Sequence, residues 1–240
     1  MMIGGLQKLT LIDYPGKIAC TVFTVGCNFR CHFCHNPELI NPAKFKLSEI
    51  IEEKVFFDFL NSRHGLLDGV CITGGEPTLY PDLPEFIKKI KELGFLVKLD
   101  TNGTNPEMIG VLVAEKLIDY VAMDIKTKLK TQNSKFKTYD EVVGVKVDLS
   151  NIEKSIKIIM QSGIDYEFRT TMVPKLHTEE DIMQIAEELR GAKKYYLQQF
   201  RSGGKIFDPE FYDVKPYPIE FLKDLREKIK GNFGICEIRD

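Results

Sequence analysis

The 240-residue sequence has no charge excess of either sign: Lys and Arg number 33, Asp and Glu 35, and the net charge is −2. A protein held mainly on nucleic-acid phosphates carries a clear basic excess, so that class is excluded and no nucleic-acid partner is expected. No apolar run approaches the roughly 18 residues of a membrane span, and no membrane partner is expected either. The opening MMIGGLQKLTLIDYPG lacks the basic start and unbroken apolar stretch of a secretory signal. The cytoplasm is therefore the default location. No linker, short repeat or low-complexity tract interrupts the chain, so 1–240 reads as a single domain. Cysteine is sparse and uneven. Of six, Cys27, Cys31 and Cys34 crowd together, while Cys20, Cys71 and Cys236 are scattered in apolar segments. Clustered thiols in a sizeable cytosolic chain suit metal better than disulfides, and the scattered three read as small buried hydrophobes.

What is present is a repeated alternation. Near-continuous apolar runs at Ile18–Val25, Val70–Thr73, Leu96–Asp100, Tyr120–Ile125, Tyr166–Met172 and Tyr195–Gln199 predict parallel strands buried on both faces. Amphipathic segments lie between them. Leu47–Arg63 predicts a helix capped by Ser48, and Asp82 with Pro84 opens another that Gly94 stops. Pro106–Leu117 is helix-length; Ser150 with Glu153 reads as a capping box for a helix ending at Gly163; Thr178 with Asp181 opens one ending at Gly191. The last helix, Pro218–Lys230, stops at Gly231. The least regular stretch, Thr127–Leu149 with Lys128, Lys130, Lys135 and Lys137, reads as a solvated loop carrying at most one short helix. Strand–helix repeats of this kind predict an α/β fold with a parallel, barrel-like sheet and right-handed crossovers.

The unusual residues follow the strands. Cys27, Cys31, Cys34 and His35 follow the first, and Gly74-Gly75-Glu76-Pro77 the second. Asp100-Thr101-Asn102-Gly103 ends the third, Asp124-Ile125-Lys126 the fourth, Arg169-Thr170-Thr171 lies on the fifth, and Gln198-Gln199-Phe200-Arg201 ends the sixth. All parallel strand ends open on one face, so these groups read as one pocket. Three local thiolates suit zinc or iron–sulfur; a closed zinc site wants a fourth ligand, for which His32 and His35 are the local options. Three protein ligands alone leave an open metal position, which catalysis uses.

Cys-x3-Cys-x-Phe-Cys, followed on the next strand by Gly-Gly-Glu-Pro, resembles the radical S-adenosylmethionine family. Tyr14-Pro15-Gly16, Cys34-His35-Asn36-Pro37, Leu99-Asp100-Thr101-Asn102-Gly103, Asp124-Ile125-Lys126, Val143-Gly144-Val145 and Val173-Pro174 are similar to the activating enzymes of glycyl radical enzymes. The Leu-Ile-Asp-Tyr-Pro-Gly opening looks most like those that activate anaerobic ribonucleoside-triphosphate reductase. The resemblance covers most of the chain. It implies a partial (β/α)6 barrel with a cluster loop at 26–37.

The same resemblance implies a [4Fe–4S] cluster on Cys27, Cys31 and Cys34, with S-adenosylmethionine on the open iron. Phe33 and His35 would flank the cofactor. Gly74 and Gly75, with backbone free of Cβ, would meet its methionine ammonium, supported by Glu76. Asp100, Thr101, Asn102 and Asp124 would surround the methionine end, Asp100, Thr101 and Asp124 gathering a monovalent cation. Lys126 would reach the ribose or carboxylate, and Arg169 the carboxylate or a partner peptide. The implied partners are a glycyl radical enzyme, in first place the large subunit of anaerobic ribonucleotide reductase, and a flavodoxin or ferredoxin as electron donor. The alternatives are activation of a pyruvate formate-lyase-like enzyme, or small-molecule chemistry like that of 7-carboxy-7-deazaguanine synthase. No second Cys-x2-Cys follows the first motif, so one cluster is expected. His64, His177 and Arg201 receive no role.

Overall fold

The computed structural model describes residues 1–130 and 137–239. The strands are β1 (Ile3–Thr10), β2 (Ala19–Thr24), β3 (Gly69–Gly74), β4 (Leu96–Thr101), β5 (Tyr120–Asp124), β6 (Asp165–Met172), β7 (Lys194–Gln199) and β8 (Ile235–Arg239). They form one eight-stranded sheet in sequence order. β1 runs antiparallel to β2, and every later neighbour is parallel. The six expected strands are all there. β1 and β8 are additional: β1 carries two glycines and polar residues instead of an apolar run, and β8 is five residues long.

The helices are α1 (Pro37–Ile40), α2 (Glu53–Asn61), α3 (Leu83–Glu92), α4 (Pro106–Ala114), α5 (Tyr139–Val143), α6 (Leu149–Gln161), α7 (Glu179–Glu188) and α8 (Ile219–Ile229). Among the described residues, no helix is long and apolar enough to cross a membrane. The helix expected over Leu47–Arg63 is broken. Ile51 gives its N–H to the Ile3 carbonyl at 2.9 Å, which takes residue 51 into contact with β1 and leaves α2 to start at Glu53. Ser48 therefore caps nothing there. Asp82 precedes α3 without a side-chain bond to it. Asp148, not Ser150, caps α6, accepting the Ser150 N–H at 3.0 Å. The Thr178–Asp181 capping box is present.

The strands are not apolar on both faces. Val22, Ile72, Val97, Leu99, Val121, Met123, Phe168 and Leu197 pack outward in the main core, which also holds the inner faces of the helices. The other face carries Cys71, Lys98, Asp100, Tyr120, Glu167 and Arg169, joined in a polar network. Both sheet edges look onto this interior. Ile12 and Asp13 beyond β1, Gln198 of β7 and Arg239 of β8 line one cavity of about 420 Å³ with Asp100 and Arg169. No ladder joins β1 to β8 among the described residues, so the barrel is partial.

The described residues of 127–149 include the one short helix allowed for, but Lys128 is not solvated as expected. Thr138 and Glu141 form a capping box on α5, and Gly144 ends it in the left-handed conformation. Lys128 is buried and ion-paired with Asp181. Lys137 pairs with Glu141 at 3.2 Å. Lys135 lies outside the described residues.

Candidate active site

The parallel register puts the C-termini of β2 to β6 at one end of the barrel, where a cavity of about 240 Å³ opens. It is lined by Cys27, Cys31 and Cys34, by Phe33, His35, Gly74, Gly75 and Glu76, and by Asp100, Thr101, Asn102, Asp124, Lys126 and Arg169. Every residue given a cofactor or cluster role from the sequence is on this wall, but the end of the sixth expected strand, Gln198-Gln199-Phe200-Arg201, is not part of it; Gln198 lines a separate cavity.

The loop after β2 that carries the cysteines is tied down from three sides. Arg30 gives its N–H to the Val143 carbonyl at 2.8 Å. Gly144 has φ +70, and a Cβ there would sit 2.7 Å from the Arg30 carbonyl oxygen. His32 bonds Asp208 through Nδ1 at 2.8 Å and the Glu141 carbonyl through Nε2 at 3.1 Å. Its two nitrogens are thus engaged, which answers the question of His32 as a metal ligand. Phe207 gives its N–H to the Cys34 carbonyl at 2.9 Å. Each such bond contributes about 0.5–1.5 kcal/mol, so the loop is fixed by many small terms.

The glycine pair on the cavity wall also has a structural job. A Cβ on Gly74 or on Gly75 would collide with the backbone of Thr24 or of Gly26, respectively. Gly75 bonds the Thr24 carbonyl and Glu76 the Gly26 carbonyl, both at 2.8 Å. The glycines let β3 close on the start of the cysteine loop. Glu76 is fully buried and accepts from Thr78 N–H at 3.1 Å, the Thr78 hydroxyl at 2.5 Å, the Thr101 hydroxyl at 2.7 Å and Asn102 N–H at 2.6 Å. Burial raises its pKa, and these four donors offset that only in part. It locks the ends of β3 and β4 together.

Opposite the cysteines lies a charged group. Arg169 reaches Asp124 at 2.8 Å and Asp100 at 3.2 Å; Lys126 reaches Asp124 at 2.9 Å, and Lys98 pairs with Asp100. Burial alone would raise both aspartates, but Arg169 with Lys98 at Asp100, and with Lys126 at Asp124, holds them below the usual carboxylate range. The thiols go the other way. Burial pushes Cys27 up to about 11 and Cys31 up to about 12, and also raises Cys34.

The model of the Radical SAM superfamily matches residues 21–204. The chain belongs to the radical SAM superfamily. A Methanocaldococcus jannaschii protein provisionally named a glycyl-radical enzyme activating enzyme is 39% identical over 233 residues, covering 94% of this chain and 89% of that one. The pyruvate formate-lyase-activating enzyme of Clostridium pasteurianum is 28% identical, with 95% and 94% covered. The crystal structure of Streptococcus suis SuiB superposes with a TM-score of 0.64 at 18% identity, over 90% of this chain; the chain spans 48% of SuiB, and the likeness is one of fold.

For a radical SAM enzyme the donor set fits the group the superfamily implies. Three free thiols line one cavity wall, and no other cysteine does. Among the described residues no three His, Cys, Asp or Glu side chains converge as a single ion would need. Ligands of a multinuclear iron–sulfur cluster stand further apart than those of one ion. Cys20 and Cys236 are buried in the apolar core, as expected, whereas Cys71, though buried, faces the polar barrel interior with its thiol 3.8 Å from Asp100 and 3.7 Å from the Lys98 ammonium. The cavity is smaller than the usual ligand site of roughly 300–1,000 Å³.

Sequence reasoning missed His177. It is buried, accepts the Val173 N–H on Nδ1 at 3.1 Å, and lies 2.6 Å from the Lys126 carbonyl through Nε2. Phe33 packs edge-on against it, ring centroids 6.4 Å apart. No spacing rule marks such a residue, because its partners are main-chain groups, one of its own turn and one of the distant segment at Lys126. The Thr101 hydroxyl donates to Glu76 at 2.7 Å and accepts the Gly103 N–H at 3.1 Å. Arg201 is exposed and does not line the cavity.

Proposed function

We propose that this radical SAM enzyme is an activating enzyme of a glycyl radical enzyme. In first place we assign it the anaerobic ribonucleoside-triphosphate reductase, with a flavodoxin or ferredoxin as donor. The observation that carries the reading is the junction of three free thiols, a Gly-Gly-Glu clamp and an Asp–Arg–Lys group around one cavity. The relatives named for this activity support it over most of the chain.

Cys27, Cys31 and Cys34 would hold a [4Fe–4S] cluster, and S-adenosylmethionine would lie across the cavity toward Asp100 and Asp124. When bound, the cluster and cofactor would supply one-electron reductive chemistry for abstracting a hydrogen atom from glycine. The protein's part is position and charge. Lys126 and Arg169 present cations to the cofactor carboxylate. Phe33 and His35 offer ring surface beside the thiols. Glu76 keeps the floor rigid, with three of its four bonds on Oε1 and one on Oε2. The monovalent cation expected at Asp100, Thr101 and Asp124 competes with Arg169, which already bridges the two carboxylates. We infer that the guanidinium serves as the cation in this chain.

The test is anaerobic. Reduced protein, S-adenosylmethionine and the large reductase subunit are expected to yield a glycine-centred radical by electron paramagnetic resonance. Deuterium from labelled glycine is expected in 5′-deoxyadenosine. 5′-Deoxyadenosine without label, and no radical on the partner, would overturn the assignment.

A further inference from the structure

The cysteine loop has two faces. One lines the cofactor cavity; the other forms the wall of a surface groove of about 850 Å³. Asn36 lies on both. Around the groove stand Arg30, Lys44, Lys205 and the exposed ring of Phe207, with Pro37 at its floor. Arg30 donates to the carbonyls of Cys27 and Phe29 at 2.6 and 2.7 Å and meets no carboxylate among the described residues. Lys44 is exposed, and beside it Lys46 pairs with Glu49 at 3.0 Å. Lys205 is 77% exposed and only loosely paired with Glu38 at 3.8 Å. The groove carries four cations, Arg30, Lys44, Lys46 and Lys205, against two carboxylates, Glu38 and Glu49, a local positive excess on a chain whose net charge is −2.

We propose that this outer face of the cysteine loop is the docking surface for a small acidic ferredoxin. The proposal rests on the reading of Cys27, Cys31 and Cys34 as cluster ligands and adds the entry side of the electron. Three observations favour it. The cations complement an acidic carrier, and such complementarity raises encounter rates more than it raises affinity. The groove reaches the ligand loop directly: from Cys34 to Asn36 the chain spans at most about 7 Å, and Phe207 bonds the Cys34 carbonyl at 2.9 Å. Electron-transfer encounters are also small, below about 1,200 Å² of buried surface, so a groove beside one loop is sufficient. The carrier would sit outside the cavity and leave its mouth to the substrate. In the step itself one electron leaves the reduced ferredoxin and enters the loop-bound cluster; no bond forms or breaks and no proton moves.

The test uses the cluster-loaded protein and its Lys44→Glu/Lys205→Glu variant, with Lys223→Glu as a distant control. Calorimetry with a purified acidic ferredoxin is expected to show at least tenfold weaker binding by the double variant at low salt, and a difference that shrinks at high salt. Bleaching of the cluster by reduced ferredoxin is expected to slow at least tenfold, while bleaching by dithionite stays unchanged. Ferredoxin binding that the double variant leaves intact overturns the docking surface, as does preferential binding of a flavodoxin. If dithionite bleaches no chromophore in the unmodified protein, the cluster reading itself has failed, and the docking surface with it.

Discussion

His177 Nε2 lies 2.6 Å from the carbonyl oxygen of Lys126. Nδ1 accepts the Val173 N–H, so Nε2 carries the proton and the ring is the neutral tautomer. This bond orients the chain at Lys126, whose ammonium binds Asp124 in the cavity. Burial lowers the His177 pKa to about 4, with Asp181 opposing and Lys128 and Lys126 assisting. The folded pKa is depressed, so the unfolded chain binds the proton more readily. Stability is full above about pH 6.5 and is lost as pH falls toward 4, by roughly 3 kcal/mol in all. Urea midpoints measured from pH 7 to 4.5 are expected to fall accordingly. His177→Gln keeps a donor and an acceptor, and its profile is expected to be flatter over that window. An equally steep fall in the variant would remove His177 as the cause.

The cysteines give the second prediction. Their raised pKa values mean that the unliganded thiols are protonated at neutral pH. Iron binding needs thiolates, so loading must expel about three protons. Calorimetry in buffers of different ionisation enthalpy counts them. Ala at Cys27, Cys31 or Cys34 is expected to abolish retention of iron and sulfide, and Cys236→Ala to keep both. Loss of iron from Cys236→Ala would overturn the ligand set.

The site was more legible in the sequence than its supports were. Cysteine spacing and Gly-Gly-Glu are local patterns, and they mark one end of the barrel because parallel strands share a direction. Lys98 and Glu167, the partners of Asp100 and Arg169, were harder to place. They sit among apolar neighbours in strands that look continuous, yet they line a polar interior. β1 escaped notice because its pairing with β2 is irregular and two of its residues are glycine. Leu47–Arg63 looked like one helix because the contact that breaks it, Ile3 with Ile51, is long-range. Glu76 could be named from the motif, but its four donors come from two segments that only the fold brings together.

Glu76→Gln is therefore expected to act on stability as well as on binding. The amide must turn its NH2 toward at least one group that now donates. Leaving buried donors without an acceptor costs about 1–3 kcal/mol. Urea unfolding is expected to show a loss of that order, and calorimetry weaker S-adenosylmethionine binding by the cluster-loaded variant. If binding weakened with no change in stability, Glu76 would be a direct cofactor contact instead of a clamp.

Arg169 separates a built-in cation from a bound one. Its guanidinium spans Asp124 at 2.8 Å and Asp100 at 3.2 Å from a side chain only 12% exposed. Lysine keeps the charge but lacks the planar fork, so it cannot serve both carboxylates in this way. Arg169→Lys is expected to weaken S-adenosylmethionine binding about tenfold, near 1.4 kcal/mol. Arg169→Ala leaves Asp100 to Lys98 and Asp124 to Lys126, and the lost charge is expected to cost about 3 kcal/mol in stability. The decisive comparison replaces potassium by tetramethylammonium at constant ionic strength. If the guanidinium fills the cation's role, the unmodified protein binds S-adenosylmethionine equally well in both salts. Arg169→Ala, with that space vacated between two carboxylates, is expected to bind better in potassium. Dependence on potassium in the unmodified protein would show that the ion has its own place there and that Arg169 does not substitute for it.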